Sequence, residues 1–273
     1  MSETAIVEAQ CLTSLASVFL AFMVGQASRY FIRKNWTNID DTSRVILHEL
    51  VATFEKAVTC LELPIILDDA GLFWYLLLLT LTGMWFSTQW DRTKSSIPNH
   101  IENLTFGRIA FTNVLIQMSI ELGWGMLIYP LYVRPLWSLF PGQPIRAMKF
   151  NGVWISDLKA NNITWYQGCW VEFIGSFLLQ LLALLVAGML SNEWISEVLM
   201  QCLSSAVVGY TLDTAGGYFN PVIATILLAG TEGISTFELI MVYWVGSVSG
   251  TIVAYLLFKG ILTVIGDDDR KQL

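Results

Sequence analysis

Apolar runs follow one another along nearly the whole chain, at about residues 11–31, 43–67, 72–85, 109–132, 167–190, 194–211 and 237–265, the third with a more polar continuation to Trp90. A run of about 20 apolar residues crosses the hydrocarbon core as a helix, and in lipid an open, unpaired backbone has nothing to bond to. The pattern therefore predicts an all-α membrane protein, and 55% hydrophobic against 14% charged residues agrees with it. One apolar stretch breaks the pattern. Val222 to Gly230 is too short to cross, yet it opens with Asn220-Pro221, a good N-cap followed by a residue suited to the first helical position. Gly216 and Gly217 just before it let the chain fold back tightly. A half-helix entering partway aims the positive end of its dipole at whatever passes, which admits neutral solutes and repels cations.

The rest of the composition narrows the function classes. Net charge is −7, with Asp267, Asp268 and Asp269 in a short tail, and no basic stripe suggests a nucleic-acid partner. Cys11, Cys60, Cys169 and Cys202 sit singly in or beside apolar runs and read as small buried hydrophobes. His48 and His100 are far apart, so no metal or other cofactor is expected, and no constellation for hydrolysis, group transfer or redox chemistry points to an enzyme. The first run has Glu3 and Glu8 before it and Arg29, Arg33 and Lys34 at its end, the reverse of a cleaved signal peptide. It reads as an uncleaved helix with its basic end toward the cytosol. The second run carries Glu49, Glu55, Lys56 and Glu62, costly in lipid unless turned to the protein interior or the interface.

Setting the first helix aside leaves six spans in two sets of three. His48-Glu49-Leu50-Val51-Ala52-Thr53-Phe54 opens one set and Val171-Glu172-Phe173-Ile174-Gly175-Ser176-Phe177 the other. An odd number of spans per set makes the halves run in opposite directions, as inverted repeats do. With Asp213 seven positions before Asn220, the glycine-rich approach, Asn220-Pro221-Val222, and Tyr243-Trp244-Val245-Gly246 followed by Gly250, the chain resembles the aquaporin family over nearly all of residues 43–265. Cys60-Leu61-Glu62-Leu63, the added helix and the unusual boxes resemble its unorthodox intracellular branch, the superaquaporins.

The resemblance implies an inverted repeat of six spans plus two re-entrant half-helices, with an extra N-terminal helix. It divides the chain into the helix and linker at 1–42, a channel domain at 43–266 and a tail at 267–273. In the family two Asn-capped half-helices meet at the midplane. Asn220, Pro221 and Val222 fit the second, while Ile97-Pro98-Asn99 is the candidate for the first and keeps only the proline. Either this half-helix is short and displaced toward water, or His100 and Glu102 line the channel. Where the family commonly has an arginine in its outer filter this sequence has Ile223, with Val208 and Gly217 at the other matching positions. Glu49 and Glu172 are implied to hold the re-entrant loops, with proton relay as the alternative, Glu121 being an extra carboxylate; Asp213 is implied to support its loop.

The function implied is a passive channel for water, glycerol or hydrogen peroxide. The alternatives are a scaffold that keeps the fold without conducting and a proton-coupled transporter. Partners are the lipid bilayer and, by the resemblance, three further copies in a homotetramer. Arg92, Lys94, Arg108, Arg270 and Lys271 are expected in the cytosol, which leaves Asn162 as the sequon facing the lumen and Asn35 and Asn103 shielded. Arg270 and Lys271 also resemble a weak retrieval signal for the endoplasmic reticulum, favouring an intracellular over a plasma membrane.

Overall fold

The computed structural model describes residues 3–90, 93, 95–139 and 143–271, with side chains from 11 to 261 within these. Arg92, Lys94, Pro141 and Gly142 lie outside the described residues, as do the side chains of Asp267 to Asp269, Arg270 and Lys271. In order, the helices are α1 (Glu3–Asn35), α2 (Asp41–Ala70), α3 (Leu72–Gln89), α4 (Ile97–Thr105), α5 (Phe111–Ile128), α6 (Arg134–Ser138), α7 (Pro144–Phe150), α8 (Asp157–Ala160), α9 (Trp165–Met189), α10 (Glu193–Thr211), α11 (Pro221–Leu228), α12 (Thr236–Leu239) and α13 (Ser247–Lys271). Wide π turns at Tyr129–Val133 and Ile240–Gly246 join α5 to α6 and α12 to α13. Among the described residues there is no strand, only one isolated bridge between Ile155 and Glu232.

By length and composition Cys11–Asn35, Phe111–Ser138, Trp165–Met189 and Thr236–Ile261 are apolar enough to cross a membrane. Helices α2, α3 and α10 complete the bundle. Its surface is apolar, with Phe19, Phe73, Leu131, Trp170 and Met189 outside, while Arg29, Glu49, Glu55, Glu62, Glu121 and Glu172 are buried. This is the arrangement hydrocarbon demands, with ionisable groups turned inward and paired.

The two halves interlock. Helix α2 packs on α3 and α5, α9 packs on α10 and α13, and α3 meets α10 across the middle. Each short helix then crosses over: α4, from the first half, lies against α13, and α11, from the second, lies against α5 and α2. Small residues permit this approach, since a methyl group on Gly125 of α5 would occupy the space of Ile226. The protein is thus an all-α inverted repeat of six spans and two half-helices with an added N-terminal helix. Among its described residues the connector at 134–160 carries three short helices that periodicity did not predict.

Helix α1 packs along α2 and reaches α3 through its side chains. Phe22 stacks on Trp85 with ring centroids 4.8 Å apart, and Gln26 donates to Gln89 at 2.7 Å. Toward one end of α1, Arg29 Nη2 reaches Glu55 Oε1 at 2.5 Å, and Trp90 Nε1 donates to Glu55 Oε2 at 2.6 Å. Toward the other, Arg146 bridges Ser14 Oγ at 2.8 Å and Glu62 Oε2 at 3.2 Å, with Trp137 Nε1 donating to Glu62 Oε1 at 2.8 Å. Glu62 therefore does not reach for the interface: it is fully buried in an ion pair.

Candidate functional site

The second re-entrant segment is built from its glycines upward. Gly216 and Gly217 have φ of 86° and 63°, and Phe219 also takes a positive φ of 47°, so the chain reverses sharply before Asn220. A side chain on Gly217 would meet Thr211 Oγ1 and the Val208 carbonyl, which sets Gly217 directly against Val208. Two consecutive N–H groups exposed by this turn, those of Tyr218 and Phe219, donate to Glu172 Oε1 and Oε2 at 2.9 and 2.8 Å, and Ser247 Oγ adds a third bond at 2.8 Å. A carboxylate can accept all three at once, which is the chemical reason for a glutamate buried on α9.

Asn220 then caps α11. Its Oδ1 accepts from Val222 N at 3.1 Å, leaving the amide nitrogen as a donor with no protein acceptor among the described residues. Pro221 follows as the first helical residue, and Trp244 Nε1 ties the second turn to the last span through Thr225 Oγ1 at 3.0 Å. At the far end of α11 the buried ammonium of Lys149 donates to the Leu227 carbonyl, placing a cation on the negative end of the helix dipole.

The first segment has the same logic with different chemistry. Ser95, at φ 37°, donates its N–H to Glu49 Oε2 at 3.0 Å, while Thr53 Oγ1 and Lys56 Nζ bind the Ser95 hydroxyl and carbonyl at 2.8 and 2.6 Å. Helix α4 starts at Ile97, with Pro98 in its first turn and no side-chain cap. Ile97 is fully buried in the same apolar cluster as Val222 and Ile223, so this tip does not lie out in water. The polar residues behind it turn the other way. Asn99, His100 and Glu102 line a cavity of about 290 Å³ together with Glu49 and Gln117.

Of the residues singled out from sequence, the structure brings Ile97, Val222 and Ile223 into one cluster and sets Gly217 against Val208. Val208 belongs to a separate cluster with Tyr75 and Phe219. Asp213 does not support its loop as implied: it is exposed, and its carboxylate makes no hydrogen bond among the described residues. Asp157 of α8 takes that part instead, accepting from Tyr218 Oη at 2.6 Å. Tyr243 Oη holds the same loop through the Ala215 carbonyl at 3.0 Å. Sequence reasoning missed Asp157 because it lies in the connector, 61 positions from Tyr218. Asn162 is exposed, with φ 56°. His100, noted above for its distance from His48, lies with Glu121 and Glu49 in one buried cluster.

No family model matches the chain. A curated relative, an aquaporin-11 from Milnesium tardigradum, is 29% identical over 89 residues, covering 32% of this chain and 33% of that protein. The match therefore spans about a third of the relative's length. The solved structure of the aquaglyceroporin from Plasmodium falciparum aligns over 96% of this chain and 99% of that chain, at 12% identity and a TM-score of 0.49. Two short helices whose tips share one apolar cluster, each hung from a buried glutamate, and a sequence match to an aquaporin lead to one conclusion: this integral membrane protein resembles the aquaporin family.

Proposed function

We propose that the chain is a passive channel for water or small neutral solutes such as glycerol and hydrogen peroxide, formed by residues 43–266 and set in an intracellular membrane. The observation that carries this reading is the cap of α11. With Oδ1 held by Val222 N, the amide of Asn220 is a fixed donor beside a helix N-terminus, a pairing that favours an oxygen-bearing neutral solute and opposes a cation. Ile97 and Pro98 supply the opposite tip, with Asn99 turned to the cavity behind it, and Val208, Gly217 and Ile223 the apolar constriction. Glu49 and Glu172 hold the loops rather than relay protons. The protomers assemble as homotetramers, Asn162 carries the glycan, and residues 1–42 and 267–273 are an added helix with its linker and a tail.

The test is osmotic and solute flux into vesicles containing the purified chain, followed by stopped-flow light scattering. Asn220→Asp keeps the capping oxygen and removes the donor, so flux should fall about tenfold, the worth of roughly one hydrogen bond. A second reading, a fold kept without conduction, is favoured by Ile97, whose buried side chain offers no donor at the first tip. It predicts flux no greater than in empty vesicles for every solute. Glycan mapping tests the orientation, since sugar on Asn35 or Asn103 would mean that the chain is inserted the other way.

A further inference from the structure

At the inner end of α4 the first half departs from the second. Where Glu172 is satisfied by two N–H groups and a hydroxyl, Glu49 sits beside a histidine and another glutamate. His100 Nε2 lies 2.6 Å from Glu121 Oε1, and one ligand atom from each of Glu49, His100 and Glu121 falls within 4.8 Å of the other two. All three side chains are buried. The cluster is short of donors. Glu121 is wholly inaccessible, yet its Oε2 has no partner, and neither does the buried Oε1 of Gln117, one turn earlier on the same helix. Buried acceptors of this kind point to an ion or ordered water. The neighbouring ammonium of Lys56 donates to the Ser95 carbonyl at 2.6 Å and also lies close enough to Glu121 and Glu49 to act on their charge. The cavity of about 290 Å³ that Glu49, His100 and Gln117 help to line gives access.

We propose that Glu49, His100 and Glu121 form a binding site for a first-row divalent cation such as Zn²⁺. One imidazole nitrogen and two carboxylate oxygens suit such an ion, whose bonds to them run about 2.0–2.2 Å. Binding sets the donors roughly 3.4 Å from one another in a tetrahedral arrangement, so the His100–Glu121 pair opens from 2.6 Å as the ion replaces their direct bond. The cation gives Glu121 Oε2 an opposite charge and, with Lys56 nearby, offsets the two carboxylates.

The experiment uses the full chain in detergent or nanodiscs, freed of any polyhistidine tag, stripped with a chelator and equilibrated with micromolar Zn²⁺. Elemental analysis should find one ion per chain. His100→Gln and Glu121→Gln, each checked for folding by gel filtration, should abolish binding at that concentration, a loss of at least about 100-fold in affinity, whereas Cys202→Ser should retain it. The Co²⁺ form of the unmutated protein gives a readout independent of the variants' folding: visible d–d bands without an intense thiolate band fit nitrogen and oxygen ligands. No stoichiometric ion in the folded wild type, unchanged binding in both variants, or a thiolate band would overturn the site. Binding is read without transport, so an absence of flux leaves this site standing and an absence of metal leaves the channel reading standing.

Discussion

At the scale of single residues, the two loop-holding glutamates show how much can rest on one carboxylate. Glu172 is wholly buried and accepts three bonds, two of them from adjacent backbone N–H groups that the reversal at Gly216–Phe219 has exposed. Glu172→Ala leaves these donors unpaired, each costing about 1–3 kcal/mol, so a loss of at least about 3 kcal/mol is expected. Thermal or denaturant unfolding in detergent measures it, and a loss under 1 kcal/mol would show that water satisfies the loop. The importance of a glutamate in an apolar span was legible from its type alone. Its partners were not, because N–H groups carry no sequence signature, and the same blindness hid Asp157, whose role depends on where α8 folds.

At the scale of elements, Gly246 and Gly250 were readable as a small pair four residues apart, and the structure shows them used within the chain. A methyl group on Gly250 would fall onto the Phe173 carbonyl of α9, and one on Gly246 would lie 2.8 Å from the Cys169 carbonyl. Backbone cannot swing aside as a flexible side chain does. Gly250→Ala should therefore force α13 away from α9 and destabilise the protein by about 1–3 kcal/mol, whereas Gly260→Ala, whose added methyl group would meet no described atom within 4 Å, should be nearly neutral in the same unfolding assay. The half-helix α11 was fixed to within about two residues by Asn220-Pro221 and the length of its apolar run. Helix α4 was harder, because its nine residues are mostly polar and its apolar contacts, Ile97 and Ile101, sit at a helical spacing of four that only a packed neighbour makes meaningful.

For the whole molecule, the question is what keeps α1 on the bundle, since a helix apolar on its outer face gains little from leaving lipid. Two buried ion pairs do this, Arg29 with Glu55 and Arg146 with Glu62, the second drawing Ser14 in as well. Gly25, one turn before Arg29, makes room for the first, because a methyl group there would strike the Glu55 carboxylate. Arg29→Leu strands a buried charge and should cost about 3–5 kcal/mol, whereas Arg29→Leu combined with Glu55→Met should recover most of it. Unfolding midpoints of the two single variants and the pair measure the coupling. If the pair is no better than Arg29→Leu, packing and not charge holds α1.

The sequence by itself determined the material of this protein: helices of membrane length, one run too short to cross, a repeated carboxylate opening two sets of three spans. These are local properties, set by how many apolar residues fit a bilayer and by what Asn, Pro and Gly do to a backbone. The tertiary structure decided which polar groups meet. Glu55 finds Arg29, Glu172 finds two amides, and His100 finds Glu121, because burial in a low-dielectric interior leaves a charged or polar side chain no alternative to a partner, and that partner is chosen by helix packing across distances the order of residues does not encode.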